Sequence, residues 1–374
     1  MSLEQLAEIS RQYGSDPEWV LAGGGNTSFK TPDTLYVKAS GFPLASIGPE
    51  GFAAMDRAAL GRMWEASYPE ETEQREAATL ADLMAARREG EEKRPSVETL
   101  MHELFPYAYI VHTHPALVNG LTCSQEGEAA ARRLFGSRVL WVPAIEPGYV
   151  LARSMRRMAQ RYAEEHGEYP RIVMLQNHGL VVAADTPEEI DTLHREIRRT
   201  VERALARQPD LSPAAGGDAG NQAGTAGEAS RERWETAVTT AYETDVAVMF
   251  ETNAEIAARV ASREAFEPLD GAFTPDHIVY AGSAPLFVEG SPVNAAAGLR
   301  SRLVSYRAEH GSMPRVIAVA GTGLLAVAES DQACRTALEL FMDEVKIAAY
   351  AESFGGARHL DPHLVAFIES WEVE

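Results

Sequence analysis

The chain has 374 residues, 45% of them hydrophobic and 24% charged, a balance that supports a sizeable core and, at about 150 residues per domain, two or three domains. A net charge of -21 argues against nucleic acid and anionic membranes as partners, because phosphate would be repelled. No apolar run approaches the ~20 residues of a bilayer span, MSLEQLAEIS lacks the basic start and apolar stretch of a leader, and Cys123 and Cys334 cannot staple a secreted scaffold, so a cytoplasmic protein with reduced thiols is expected.

In chain order, residues 2–13 read as a helix. Gly23-Gly24-Gly25-Asn26-Thr27-Ser28 is a glycine-rich loop whose free N–H groups can cradle an anion. Lys30 follows this loop and Lys38 precedes the Ser40-Gly41 turn; they are two of only four lysines. Leu35 to Ala39 reads as a strand entering the tight turn Ser40-Gly41, and Gln74 to Arg88 as a helix with Leu80, Leu83 and Met84 at helical spacing. Pro95-Ser96 opens a further helix, with Ser96 as its N-cap and Val97, Leu100, Met101 and Leu104 as its apolar stripe. Glu98 then falls in the first turn, where the helix terminus favours the ionised carboxyl. His102, one turn on, shares that face and competes for the role of ligand, but is expected rather to pack or hydrogen-bond locally.

Tyr109 to Val111 reads as a strand that delivers His112-Thr113-His114-Pro115. With a period of two, both imidazoles leave the same face, close enough to share one metal. Arg171 to Leu175 and Leu180 to Ala183 are strands joined by Gln176-Asn177-His178-Gly179, so His178 offers a third nitrogen from a loop. Three neutral imidazoles leave a coordination position open, as a catalytic zinc requires. A lone H-x-H pair is a weak signal, and a glutamate in a first turn is ordinary helix design; the combination is what points to a metal. Thr186-Pro187-Glu188-Glu189 caps a long helix to about Arg207. Strands alternating with helices indicate an α/β domain.

Residues 208–230, rich in Gly, Ala, Ser, Asp and Pro, read as a flexible linker between a domain at 1–207 and a second at 231–374. An internal repeat crosses it: PRIVMLQNHGLVVAADTPEE (170–189) aligns without a gap to PRVIAVAGTGLLAVAESDQA (314–333), with Thr322 in place of His178. A weaker match pairs residues 31–44 with 274–287. The second half is therefore expected to be a reduced copy of the first that lacks the equivalent of HTHP and carries no metal ligands. Gly321-Thr-Gly323-Leu-Leu-Ala326 matches a dinucleotide fingerprint in letters only, since Leu324 to Ala328 reads as another strand where the fingerprint needs a helix.

GGGNTS at 23–28, SG at 40–41, PSVE at 95–98, HTHP at 112–115 and NHGL at 177–180 resemble, in order and approximate spacing, the motifs of the class II aldolase/adducin family. The resemblance spans roughly residues 5–205, and the long form looks similar to the aldolase portion of rhamnulose-phosphate aldolase/lactaldehyde dehydrogenase proteins, without the dehydrogenase portion. It implies a three-layer α/β/α fold with a largely antiparallel central sheet, and a homo-oligomer, a tetramer in family members. It implies one zinc per chain on His112, His114 and His178, Glu98 as acid/base, and substrate phosphate held by Gly25, Asn26, Ser40, Gly41 and Ser96. Val97 and Gly23 stand where some sugar-phosphate aldolases have a serine and a threonine, each removing a phosphate hydroxyl contact. Tyr149 is a guess for the family's tyrosine from a neighbouring subunit. The implied reaction is cleavage of a ketose 1-phosphate of the rhamnulose or fuculose type; a pentulose-phosphate 4-epimerase and an adducin-like interaction protein are the alternatives.

Overall fold

Runs such as Tyr109-Ile-Val and Gly179-Leu-Val-Val-Ala-Ala have no polar face, so the strands they form must be covered on both sides. The structure, a computed structural model, describes residues 2–214, 223–242, 244–289 and 295–371. It divides into two units, Met1–Ala204 with Ser370–Glu374, and Leu205–Glu369.

In the first unit, β1 (Asn26–Lys30), β2 (Thr34–Lys38), β3 (Phe52–Asp56), β4 (Tyr109–Thr113), β5 (Val139–Val142), β6 (Ile172–Leu175) and β7 (Gly179–Ala184) form one sheet in the order β3-β2-β1-β4-β7-β6-β5. Neighbours are antiparallel except β5 and β6, which are parallel. On one face, Ile110, Val173, Leu175, Val181 and Ala183 pack against Met101 and Phe105 at the helix Thr99–Glu103 and against Leu151 and Met155 of the helix Tyr149–His166. Alternation sends Leu180, Val182 and Ala184, also buried, to the opposite face, where the helices Leu3–Gly14, Ala116–Thr122 and Pro187–Glu202 lie against β1, β4 and β7. Each fully buried Val, Leu or Ile contributes roughly 1.5–3 kcal/mol, so this layering is driven by the strands' own composition. The fold is the expected α/β arrangement with a largely antiparallel central sheet.

Two local expectations are corrected. The helix after Pro95 begins at Thr99, with Glu98 rather than Ser96 at its N-cap position. Pro95 bridges Ala39, and Ser96 N–H donates to the Lys38 carbonyl (3.1 Å), so the chain stays pinned to the end of β2 until Glu98. The helix capped by Thr186 ends at Glu202, before Arg207, which is engaged by Glu255 and Glu352 at 2.7 Å each in the second unit.

The second unit holds β8 (Ala247–Glu251), β9 (Leu286–Val288), β10 (Val316–Val319) and β11 (Gly323–Ala328), in the order β8-β11-β10-β9. β9 and β10 are parallel and the other pairs antiparallel, which reproduces β4-β7-β6-β5. The two hairpins match residue for residue in the gapless alignment, and so do contacts around them. Ala183 N–H donates to Arg171 O (2.9 Å) as Val327 N–H donates to Arg315 O (2.8 Å). Tyr162 O–H donates to Ser137 O (2.7 Å) as Tyr306 O–H donates to Ala284 O (2.5 Å).

The weaker repeat is overturned. Residues 34–38 are strand β2, whereas Thr274 caps the helix Pro275–Ala281, because a proline at a first helical position lacks only an N–H that would be unsatisfied anyway. The equivalent of HTHP is also present as backbone, namely β8, with other side chains. The dinucleotide-like glycines do open a strand, β11, and not a helix. Of the linker expected at 208–230, residues 215–222 lie outside the described residues. Residues 208–214 are tied to the second unit by Ala254 N–H to Ser212 O (2.9 Å) and Glu255 N–H to Asp210 O (2.8 Å). From Ala223 the chain is helical through Ala241, as a segment of good helix formers such as Ala and Glu allows.

Candidate metal centre

β1 and β4 run antiparallel with Asn26 directly opposite His112 and Ser28 opposite Ile110. Paired residues share a face, so Asn26, Ser28, Ile110 and His112 all project toward the helix Thr99–Glu103, the helix that Glu98 precedes and His102 belongs to. His112 is 0% exposed, and its Nδ1–H donates to the Leu180 carbonyl at 2.9 Å. That bond leaves the Nε2 lone pair facing the site. His114, one residue past β4, brings its Nε2 within 2.9 Å of His112 Nε2. His178 Nε2 lies 3.2 Å from His112 Nε2. The turn that delivers it needs a left-handed residue, and Asn177 supplies it at φ 53°.

Glu98 Oε1 stands 3.6 Å from His112 Nε2 and 3.4 Å from His178 Nε2. Burial pushes the Glu98 carboxyl pKa up, and positive charge at the three histidine positions, as protons or as a metal, together with a hydrogen bond from Asn26 pulls it down. Lone-pair nitrogens and an anionic oxygen at these separations repel unless a cation lies among them. The set, three imidazoles with a carboxylate, fits a divalent transition metal, and the three histidines form the group that can hold one.

The remaining expected residues gather unequally. Asn26 Nδ2 donates to Glu98 Oε2 (2.5 Å) and to Ser96 Oγ (3.3 Å), so Asn26, Ser96 and Glu98 form one bonded group. Ser40 N–H donates to Arg94 O (2.9 Å) beside the Ala39–Pro95 bridge, which sets the Ser40-Gly41 turn next to Ser96; Gly41 has φ 82°. Gly25, at φ 67°, has no room for a Cβ, which would meet the His112 carbonyl at 2.9 Å, so this glycine lets β1 enter tightly beside β4. Tyr149 begins its helix edge-on to Tyr68 (4.7 Å), in a small pocket with Val97 and Leu100. His102 is the residue whose part in the site the motifs did not reveal: it bonds both Asn26 and Ser28. Its four-residue spacing from Glu98 was the available signal.

The profile of the family "Class II Aldolase and Adducin N-terminal domain" matches residues 4–205. The chain belongs to the class II aldolase/adducin family. A Bacillus subtilis (strain 168) protein called "Uncharacterized oxidoreductase YuxG" is 24% identical over the whole of this chain, which spans 57% of that protein's length. Among solved structures, the N-terminal class II aldolase domain of a conserved Thermoplasma acidophilum protein is 28% identical (TM-score 0.47), covering 54% of this chain and 93% of that one. An L-fuculose-1-phosphate aldolase from Thermus thermophilus is 16% identical (TM-score 0.36), covering 54% of this chain and 94% of that one.

The class II aldolase/adducin match ends at residue 205, so all of the second unit beyond Leu205 lies outside it. The strand register there shows what became of the metal positions. Thr113 pairs with Leu180 in the first sheet and Glu251 with Leu324 in the second, so Phe250 occupies the place of His112 and Thr252 that of His114, while Thr322 replaces His178. A Cβ on Gly323 would meet the Phe250 ring at 2.7 Å, as one on Gly179 would approach His112 Cε1 at 3.4 Å. The aromatic ring keeps its packing place and loses its ligand nitrogen.

Proposed function

We propose that the first unit is a zinc-dependent lyase that cleaves the C3–C4 bond of a ketose 1-phosphate of the rhamnulose or fuculose type, giving dihydroxyacetone phosphate and a short aldehyde. The observation that carries this reading is the convergence of three imidazole Nε2 atoms and the Glu98 carboxylate in a chain of this family. Nothing in an interaction protein would require these groups to meet. His112, His114 and His178 hold the zinc, which supplies a Lewis acid for the negative charge that develops on the ketose oxygens as the bond breaks. As C3–C4 breaks, the C4 hydroxyl gives up its proton and becomes the aldehyde carbonyl, and C3 takes a proton; we assign the delivery at C3 to Glu98, which reaches that state by taking up a proton first. The turns at Gly25, Ser40, Gly41 and Ser96 offer N–H and hydroxyl donors to the phosphate.

The test is incubation of the purified, zinc-loaded protein with candidate ketose 1-phosphates. Release of dihydroxyacetone phosphate, abolished by chelation and restored by zinc, is expected, with His178→Ala lowering kcat by about a hundredfold or more. Formation of an epimer without cleavage would overturn the lyase reading.

A further inference from the structure

We propose that His102 is a positioning residue for the metal centre: it locks the side-chain amide of Asn26 so that the NH2 group faces Glu98 and aims that carboxylate at the three histidines. The proposal rests on the reading of Glu98, His112, His114 and His178 as a metal site, and it concerns residues that ligate nothing themselves.

Donors and acceptors must alternate along these contacts. Asn26 turns its Nδ2 amide to Glu98 Oε2 at 2.5 Å and to Ser96 Oγ at 3.3 Å, so the carboxylate oxygen accepts. The amide oxygen of Asn26 then faces His102, hydrogen-bonded to its Nε2. That oxygen also can only accept, so His102 must carry its proton on Nε2. His102 is 0% exposed, where an uncompensated second proton is disfavoured, so it holds one proton. Its Nδ1 is therefore an acceptor and takes the Ser28 O–H at 2.8 Å. Donation runs in one sense along the whole chain, from Ser28 to His102 to Asn26 to Glu98. Reversing the amide would set two acceptors against each other at Glu98 and two donors against each other at His102, so each link enforces the next.

Local geometry explains why one ring can do this. Asn26 and Ser28 are two apart on β1 and share a face; Glu98 and His102 are four apart, flanking and within the helix that covers that face. The imidazole spans both strand positions with its two nitrogens. It is the opposite tautomer to His112, whose proton sits on Nδ1 to bond Leu180 O. Asn26 consequently has its amide engaged by Glu98, Ser96 and His102, which makes it a holder of the carboxylate.

Two variants of the full chain separate positioning from packing. His102→Phe keeps a buried ring and removes both nitrogens; His102→Gln places an N–H where Nε2–H was. Zinc affinity is measured by competition with a chromophoric chelator, beside urea unfolding and long-range nitrogen–proton NMR of the imidazoles. His102→Phe should weaken zinc binding about ten- to a hundredfold and His102→Gln should recover to within about threefold of the parent, the size expected of groups that orient ligands. NMR should show His102 protonated on Nε2. Equal loss in both variants, or a proton on Nδ1, would overturn the proposal. Should His102→Phe not fold, Ser28→Ala takes its place: a fall in the Nε2-protonated population supports the relay, and an unchanged tautomer overturns it. A parent protein that binds no zinc would sink the metal reading, while the tautomer measurement still decides the relay.

Discussion

Gly179, next to His178, packs tightly against the segment that carries His112 and His114. A Cβ there would stand 2.6 Å from the Thr113 carbonyl and 2.7 Å from His114 Cδ2, contacts that no real Cβ makes. One neighbour is backbone, held in the β4–β7 ladder, so the histidine ring must give way. Overpacking of this kind costs typically 1–3 kcal/mol. Gly179→Ala is expected to weaken zinc binding by tenfold or more in chelator competition while the protein remains folded by circular dichroism; unchanged affinity would mean that His114 is not held against this glycine. At this scale much was readable from the chain. A strand's period of two puts His112 and His114 on one face whatever the rest of the fold does, and Asn177-His178-Gly179 announces a turn with a left-handed residue. The bond from His102 to Asn26 was not readable, because nothing local to position 102 names its partner across the sheet.

Between elements, His194 shows how a helix is seated. It lies on the helix Pro187–Glu202, with its ring 4.4 Å from that of Tyr13 and 4.9 Å from that of Trp19, and its Nδ1–H donates to Ile190 O at 2.9 Å. Burial lowers its pKa from 6.5 to about 4, so the folded state binds the neutral form. The stability this group contributes is fully present above pH ~6.5, and is lost as the pH falls toward 4, because the unfolded chain takes up a proton that the folded one refuses. Between pH 7 and 5 the loss is about 2 kcal/mol. His194→Phe keeps the ring packing and removes the titration, so its urea midpoint should fall less than the parent's over that interval; parallel slopes would show that another group titrates. The strands β1, β3 and β5 went unread for a related reason. β1 in particular carries polar side chains, which are buried only because groups outside the strand satisfy them: His102 bonds Ser28, and the Phe105 carbonyl accepts from Lys30.

For the molecule as a whole, the second unit repeats half of the first sheet without its ligands. With Phe250, Thr252 and Thr322 at the three positions, bound metal should come to about one ion per chain by elemental mass spectrometry and vanish in His178→Ala. A second ion retained in that variant would place a site outside the first unit. Among the described residues no helix is long and apolar enough to cross a membrane.

The chain alone determined the motifs, the gapless hairpin repeat and the layered α/β class, because these follow from spacing, side-chain type and polarity within short windows. Tertiary structure alone decided that residues 26, 98, 102, 112 and 178 meet, that Glu98 rather than Ser96 stands at the head of its helix, and that β8 replaces the histidine strand in the second unit. Those outcomes depend on which strand pairs with which and in what register, and pairing between residues dozens of positions apart is fixed by burial over the whole sheet rather than by any local preference.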